Sequence, residues 1–329
     1  MFGGGGGMSI NISRISRLWR FASKETCAAY AALIVLFVVC AASNEHFRSC
    51  GNLINITRQV SYSGILALGM TLIIISGGID LSVGSLLALC GVISIEVLNQ
   101  FADPVWGVAV ALAAALGVGA LGGVINGLLS GAFKIPAFIV TLGTMSIFRS
   151  LALYKADAGL ISSKNNLYNQ LGNVEFLALP LPFWIMLIFA VLLSLLLNKM
   201  SFGRHILAVG SSERVALYAG LKIKRIIFLT YLIGGALAGV GAFLLGARLG
   251  SISSSNSGLN YELDAIAAVI IGGTAMSGGR GSIWGTMAGI FVLGIVSNVL
   301  DMWGISSNLQ GLIKGSVIIG AVLIQKIRR

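Results

Sequence analysis

Charge is what this chain has least of. Its 329 residues include 11 Asp and Glu and 22 Lys and Arg, 10% of the sequence, where a soluble domain carries about 25%. A soluble fold needs a solvated perimeter. With 57% hydrophobic residues and a mean hydropathy of +0.94, most of this perimeter must face lipid. No polar segment is long enough for a second, soluble domain. Cysteine is scarce too: Cys27, Cys40, Cys50 and Cys90 lack metal-ligand spacing, and three of them lie in or beside apolar runs. Neither a disulfide framework nor a redox motif is expected. His46 and His205 are far apart and in loops, which argues against a metal site. A last absence is chemical. No G-x-x-x-x-G-K-[ST] phosphate loop occurs, nor any Gly-Lys pair, so no nucleotide site of that kind and no cofactor is expected in this chain.

What is present is a series of apolar runs. A spanning helix takes about 20 mostly apolar residues. Punctuation by Gly, Pro, Asn and charge places spans at roughly 27–43, 60–76, 82–98, 106–129, 137–153, 182–198, 226–246, 262–273, 282–301 and 308–325. The third and eighth are flanked by glycine-rich segments instead of charged loops. A net charge of +11 would suggest nucleic acid in a soluble protein. Here the basic residues sort by loop. With the N-terminus inside, fifteen Lys and Arg fall on inner segments and five on outer ones (Arg48, Arg58, Lys155, Lys164, Arg248), with Arg149 and Lys314 in the membrane. This positive-inside bias predicts an all-α polytopic integral membrane protein with about ten transmembrane helices and both termini cytoplasmic; no nucleic-acid partner is expected, only lipid. Residues 1–24 read as a flexible basic cytoplasmic N-terminus, with Met1 or Met8 as start, and 25–329 as one transmembrane domain. The run at 27–42 lacks a small-residue cleavage site, so the first helix is expected to be retained.

Two loops stand out. A polar outer loop covers about 154–181. The inner loop, about 199–225, is the most charged stretch of the chain. Within it Ser211 to Gly220 reads as a short helix, with Ser211 or Ser212 as cap, Glu213 and Arg214 following, and Ala219-Gly220 at its end. Such a helix suits a connector or a docking point for a cytosolic partner.

Glycine recurs at four-residue spacing: 119, 123, 127 and 131; 235 and 239; 285 and 289; 311 and 315. Close helix packing explains that pattern. Ser76-Gly77-Gly78-Ile79-Asp80-Leu81-Ser82-Val83-Gly84 interrupts two apolar runs, with Ser82 placed to cap a new helix. It predicts non-helical backbone that lines a cavity or faces protein; a tight turn is the plainer alternative. A similar segment follows 195 residues later, Gly272-Gly273-Thr274-Ala275-Met276-Ser277-Gly278-Gly279-Arg280-Gly281, setting Ser277 opposite Ser82 and Gly279 opposite Gly84. Gly77, Gly78, Asp80, Ser82, Gly272, Gly273 and Ser277 are therefore the candidate pathway residues. The intramembrane ionisable residues Arg149, Glu262, Asp264 and Lys314 are the other candidates, Glu262 lying toward the outer interface. Arg149 and Lys314 are expected to pair with an acid or with backbone carbonyls. No ladder of acids suggests a proton relay.

The stretches from Gly69 to Ser85, Ile135 to Thr144, Phe202-Gly203-Arg204, Tyr261 to Ala268, Ile271 to Thr274 and Ser277 to Gly281 resemble, in order, the sugar-transport branch of bacterial ABC importer permeases, typified by the ribose permease. The resemblance runs from about residue 50 to the C-terminus. It implies a permease subunit in the bacterial cytoplasmic (inner) membrane that moves a monosaccharide. It also implies a homodimeric or heterodimeric permease core, a periplasmic or lipid-anchored sugar-binding protein, and a cytosolic ATPase subunit holding the ATP and Mg. Ser211, Ser212, Glu213, Arg214, Ala219 and Gly220 would couple to that ATPase. The family usually reads Gly-Gly-Asn where this chain has Gly210-Ser211-Ser212. The alternatives are a stand-alone carrier or channel driven by an ion gradient, with Asp80 and Asp264 as ion ligands, or a membrane enzyme, for which no catalytic constellation is present.

Overall fold

The computed structural model describes residues 24–306, 309–316 and 319–320. The basic N-terminal segment and part of the tenth expected span lie outside the described residues. Helices dominate: α1 (Lys24–Ser43), α2 (Cys50–Ile75), α3 (Val83–Leu98), α4 (Pro104–Gly131), α5 (Ala137–Lys155), α6 (Asn166–Leu171), α7 (Leu181–Lys199), α8 (Ser201–Ser211), α9 (Glu213–Tyr218), α10 (Ile223–Leu249), α11 (Tyr261–Ile271) and α12 (Ile283–Met302). Seven of these, α1, α2, α4, α5, α7, α10 and α12, are long and apolar enough to cross a membrane. The two expected spans with glycine-rich flanks are shorter helices, α3 of 16 residues and α11 of 11. Neither reaches the about 20 residues a crossing takes.

In the absence of a hydrophobic drive between helices inside lipid, small residues let backbones approach and gain dispersion contact. That is how the core closes. Gly119, Gly123, Gly127 and Gly131 of α4 lie against Gly235, Tyr231, Phe228 and Lys224 of α10, and a Cβ on any of them would press on α10 backbone. Gly69 of α2 meets Gly234, while Gly285 and Gly289 of α12 meet Gly272 and Ala268. Gly311 and Gly315, expected to pack in the same way, have nothing within 4 Å. Helices α2, α10 and α12 are mostly buried; α1, α4, α5 and α7 form the periphery.

The bundle has two ends. At one, the antiparallel pairs β1 (Leu160–Ser162) with β4 (Ser251–Ser253) and β2 (Glu175–Phe176) with β3 (Leu179–Pro180) organise the connections. Arg58 pairs with Glu175 at 2.7 Å, Lys155 with Glu96 at 3.0 Å, and Asn52 exchanges amide hydrogen bonds with Asn298 at this strand end. At the other, the break end, lie Ser76–Ser82, Gly272–Ser282 and the α8–α9 loop. Lys134, Lys199, Arg204, Arg214, Lys222, Lys224, Arg225 and Arg280 fall at the break end; Arg48, Arg58, Lys155, Lys164 and Arg248 fall at the strand end.

Candidate functional site

Helix α2 stops where Gly77 takes φ +90°, a left-handed value that strains any residue with a Cβ. Gly77 N–H donates to Ile74 O and Gly78 N–H to Ile73 O, both at 2.9 Å, which satisfies carbonyls the ending helix would orphan. The chain then runs non-helically to Ser82. Tyr231 Oη and Thr141 Oγ1 both donate to Ile79 O, at 3.0 and 3.3 Å. Asp80 is 1% exposed. Its Oδ1 accepts from Ser82 N at 2.8 Å and Ser82 Oγ at 2.6 Å, and Asn126 Nδ2 lies 3.3 Å from Oδ2. Asn126 Nδ2 also donates to Ser82 Oγ at 2.8 Å, while Asn126 Oδ1 accepts from Thr144 Oγ1 at 2.8 Å. The sequence reading had Ser82 capping α3. Its side chain makes no cap hydrogen bond: its oxygen accepts from Asn126 Nδ2 instead of from the helix N–H groups, and its proton goes to the Asp80 carboxylate.

The second break repeats the first stop. Gly273 has φ +89°, Gly273 N–H donates to Ile270 O at 2.9 Å, and Thr274 N–H donates to Val269 O at 3.1 Å. The equivalent glycines, Gly77 and Gly273, are 196 residues apart. The helix-opening serines, Ser82 and Ser282, are 200 apart, and Ser282 does cap, accepting from Gly285 N at 3.2 Å. The 195-residue register, with Ser277 opposite Ser82, is therefore corrected: the left-handed turn falls on the first glycine of the pair Gly77-Gly78 and on the second of Gly272-Gly273. Ser277 lies in the turn that follows, and Gly272 is packed on Gly285.

Both breaks meet under the α8–α9 loop. Gly279 N–H donates to Ile75 O at 2.9 Å, and a Cβ on Gly278 would stand 3.1 Å from Gly77 Cα. Gly210, near the end of α8, sits so close to the Ile75 carbonyl and Gly279 that no Cβ fits between them. Helix α9 then forms as the sequence suggested. Ser212 accepts from Val215 N at 3.4 Å, Glu213 occupies the first turn, and Gly220 at φ +77° ends it after Ala219. Ser211 instead closes α8, its hydroxyl donating to Leu207 O. Arg214 and Glu213 are exposed, as are Val215, Leu217 and Tyr218.

The ionisable residues cluster above these breaks. Arg149 Nη1 donates to three carbonyls, Ser254 at 2.7 Å, Ser257 at 3.1 Å and Ser255 at 3.2 Å. Lys314 Nζ lies 3.0 Å from Asp264 Oδ2. Glu262 Oε2 lies against Gly84, in the first turn of α3, whose free N–H groups favour an anion. Glu262 is not at the outer interface. Leu86, half a turn further along α3, packs on Gly122 of α4. The neighbouring Gly119 packs on Gly235, which is twelve residues from the start of α10 and fourteen from its end. Gly122 is nine residues from the break-end terminus of α4 and eighteen from its other end, so Glu262 and Gly258, which also touches Gly84, lie inside the bundle on the break-end side of its middle.

Ser251 to Asn260 thus forms a feature that sequence reasoning placed in an outer loop. It descends beside α3, with Ile252 on Gly91 and Gly258 on Gly84, and delivers the chain to α11 deep inside the bundle. One signal could have revealed it. A span of 12 residues at 262–273 cannot cross alone, so the polar segment before it must complete the passage.

Comparison with known proteins agrees with this architecture. A family model described as "Branched-chain amino acid transport system / permease component" matches residues 52–322. The chain is 40% identical over 301 residues to the ribose import permease protein RbsC of Bacillus subtilis strain 168, covering 90% of this chain and 91% of that one. It is 36% identical over 297 residues to the ribose import permease protein RbsC of Escherichia coli K12, covering 89% and 91%. It is 32% identical over 295 residues to the L-arabinose transport system permease protein AraH of Escherichia coli K12, covering 90% and 88%. No solved structure matches.

Proposed function

The chain belongs to the permease-component family of bacterial transport systems, and from that premise we propose that it is the translocation subunit through which a binding-protein-dependent ABC importer moves a monosaccharide across the bacterial cytoplasmic membrane. The carrying observation is the seat of Gly210 on both helix breaks. A cytosolic subunit that displaces α9 acts, through α8, on Ile75 and Gly279 together, the end of α2 and the break between α11 and α12. Bistable packing of this kind converts a small displacement into a change of access. Glu213 and Arg214, exposed on α9, would meet the ATPase, which would hold the ATP and Mg absent from this chain's motifs.

The segregation of basic residues supports placing the break end and both termini in the cytoplasm. Ten crossings then follow if α3, α11 with its polar lead-in, and the helix containing 309–316 each count as one. The strand end would receive the sugar-loaded binding protein. An amide-lined depression there, formed by Asn166, Asn169, Gln170, Asn173 and Val174, offers the polar, uncharged surface such docking needs. Two permease copies, or one and a paralogue, would share the ATPase pair. An uncharged sugar needs only hydroxyl, amide and backbone contacts, and weak ones, since tight binding slows release.

The test is ATP hydrolysis by the reconstituted permease–ATPase complex with ribose-loaded binding protein. Stimulation by the loaded binding protein is expected, lost in Glu213→Ala/Arg214→Ala while the chain remains inserted. Hydrolysis that ignores both the binding protein and the double substitution would contradict the proposal.

A further inference from the structure

We infer that the descending segment Ser255–Asn260 is one wall of the water-filled path, and that its free amides and backbone take the hydroxyls of a neutral polyhydroxy solute; this rests on the importer reading above. The inference starts from depth. Gly258 lies well inside the bundle, toward its break end, as its contact with Gly84 establishes. The segment around it is neither helix nor sheet: Ser254 to Asn260 is a succession of turns. Non-helical backbone at that depth is stable only against protein or water, because lipid satisfies none of its polar groups.

One side of the segment does face protein. Ile252, Ser254 and Gly258 are buried, and Arg149 binds three of its carbonyls. The other side faces nothing. Ser255, Asn256, Leu259 and Asn260 are exposed; the Asn256 backbone N–H donates to Ser253 Oγ, while the side-chain amides of Asn256 and Asn260 make no hydrogen bond to any described residue. An uncovered amide in hydrocarbon is costly, so that face is wet in the assembled protein. The chemistry selects the solute. Asn amides and Ser hydroxyls both donate and accept, matching a sugar hydroxyl. Of the nearest charges, Arg149 is held by three carbonyls and the Glu262 carboxylate is turned against Gly84 at the start of α3. The wall therefore presents hydrogen-bonding groups without a free charge to hold an ion. Arg149 is a positioning residue here, fixing the segment from behind.

The experiment uses the full chain with its four native cysteines replaced, carrying one new cysteine at a time, in membrane vesicles with its ATPase and binding protein. The probe is a charged, membrane-impermeant methanethiosulfonate. Asn256→Cys and Asn260→Cys should react about a hundredfold faster than Ile188→Cys and Leu192→Cys, exposed apolar positions of α7, because carrying a charge into lipid is disfavoured by roughly that factor. Modification at 256 or 260 should then abolish ATP-driven ribose uptake, while modification of Ala102→Cys in the strand-end loop leaves it intact. Equal, slow reaction at all four intramembrane sites would overturn the inference; so would fast reaction at 256 and 260 that leaves uptake unchanged. If the unmodified complex moves no ribose, the substrate reading fails separately, and the reaction rates still decide whether the wall is wet.

Discussion

Exchanging Asp80 and Asn126 separates a specific buried pair from generic polarity. In the native arrangement a carboxylate faces an amide nitrogen at 3.3 Å, and every polar atom of both side chains has a partner. Asp80→Asn keeps an oxygen for Ser82 but sets two amide nitrogens against each other. Leaving such a buried donor unmatched costs about 1–3 kcal/mol. Asn126→Asp is worse. Two carboxylates 3.3 Å apart repel by about 5 kcal/mol at an effective dielectric constant of about 20, unless one takes a proton, and Thr144 keeps its acceptor either way. The double exchange restores one carboxylate facing one amide, so most of the larger single loss should return. The assay is the fraction of detergent-solubilised protein remaining monodisperse after a temperature ramp, in a full double-mutant cycle. If the double variant falls at or below Asn126→Asp, the pair is not coupled, and the reasoning that Asp80 anchors the first break through Asn126 is refuted.

Three further outcomes are expected. Gly210→Val should leave the chain inserted but cut sugar-stimulated ATP hydrolysis at least about tenfold, because the new side chain pushes α8 off Ile75 and Gly279 at the cost typical of overpacking; normal stimulation would show that the seat does not transmit motion. Gly77→Ala should lower stability by about 1–2 kcal/mol from its left-handed φ alone, Gly273→Ala by more because Glu25 also blocks it, and Gly117→Ala by nothing, as its surroundings are open; equal melting of all three variants would argue against the two strained stops. Arg149→Met should lower both thermal stability and uptake by stranding the Ser254 and Ser257 carbonyls, at about 1–3 kcal/mol, with Arg149→Lys recovering only part, since a single ammonium lacks the guanidinium fork.

Much of this architecture is legible in the sequence, and the reasons are physical. The long helices show because lipid enforces about 20 apolar residues per crossing; the runs near 27–43, 106–129, 137–153, 182–198, 226–246 and 282–301 all fall within long helices. The α9 helix shows because Ser212 and Gly220 carry their own capping chemistry. The breaks show as glycine pairs, but their register does not, since only the structure tells which glycine turns left-handed. Asn126 and Thr144 carry no mark in the sequence: each is an isolated polar residue of an apolar helix, no different from Ser130 or Ser146, and the link from Thr144 through Asn126 to Asp80 is a tertiary event. Ser251–Asn260 reads as an outer loop because its residues are polar, yet it packs along α3 inside the bundle. In a membrane protein polarity also marks the interior of a path.

Uptake of labelled monosaccharides, ribose and arabinose among them, into vesicles holding the permease with an ATPase subunit and a sugar-binding protein bears most directly on the translocation role. ATP-driven import should proceed in the presence of an uncoupler and stop when the ATPase is omitted. Import that persists without the ATPase and collapses with the ion gradient would contradict it, and would make Asp80 and Asp264 the residues of an ion-driven carrier.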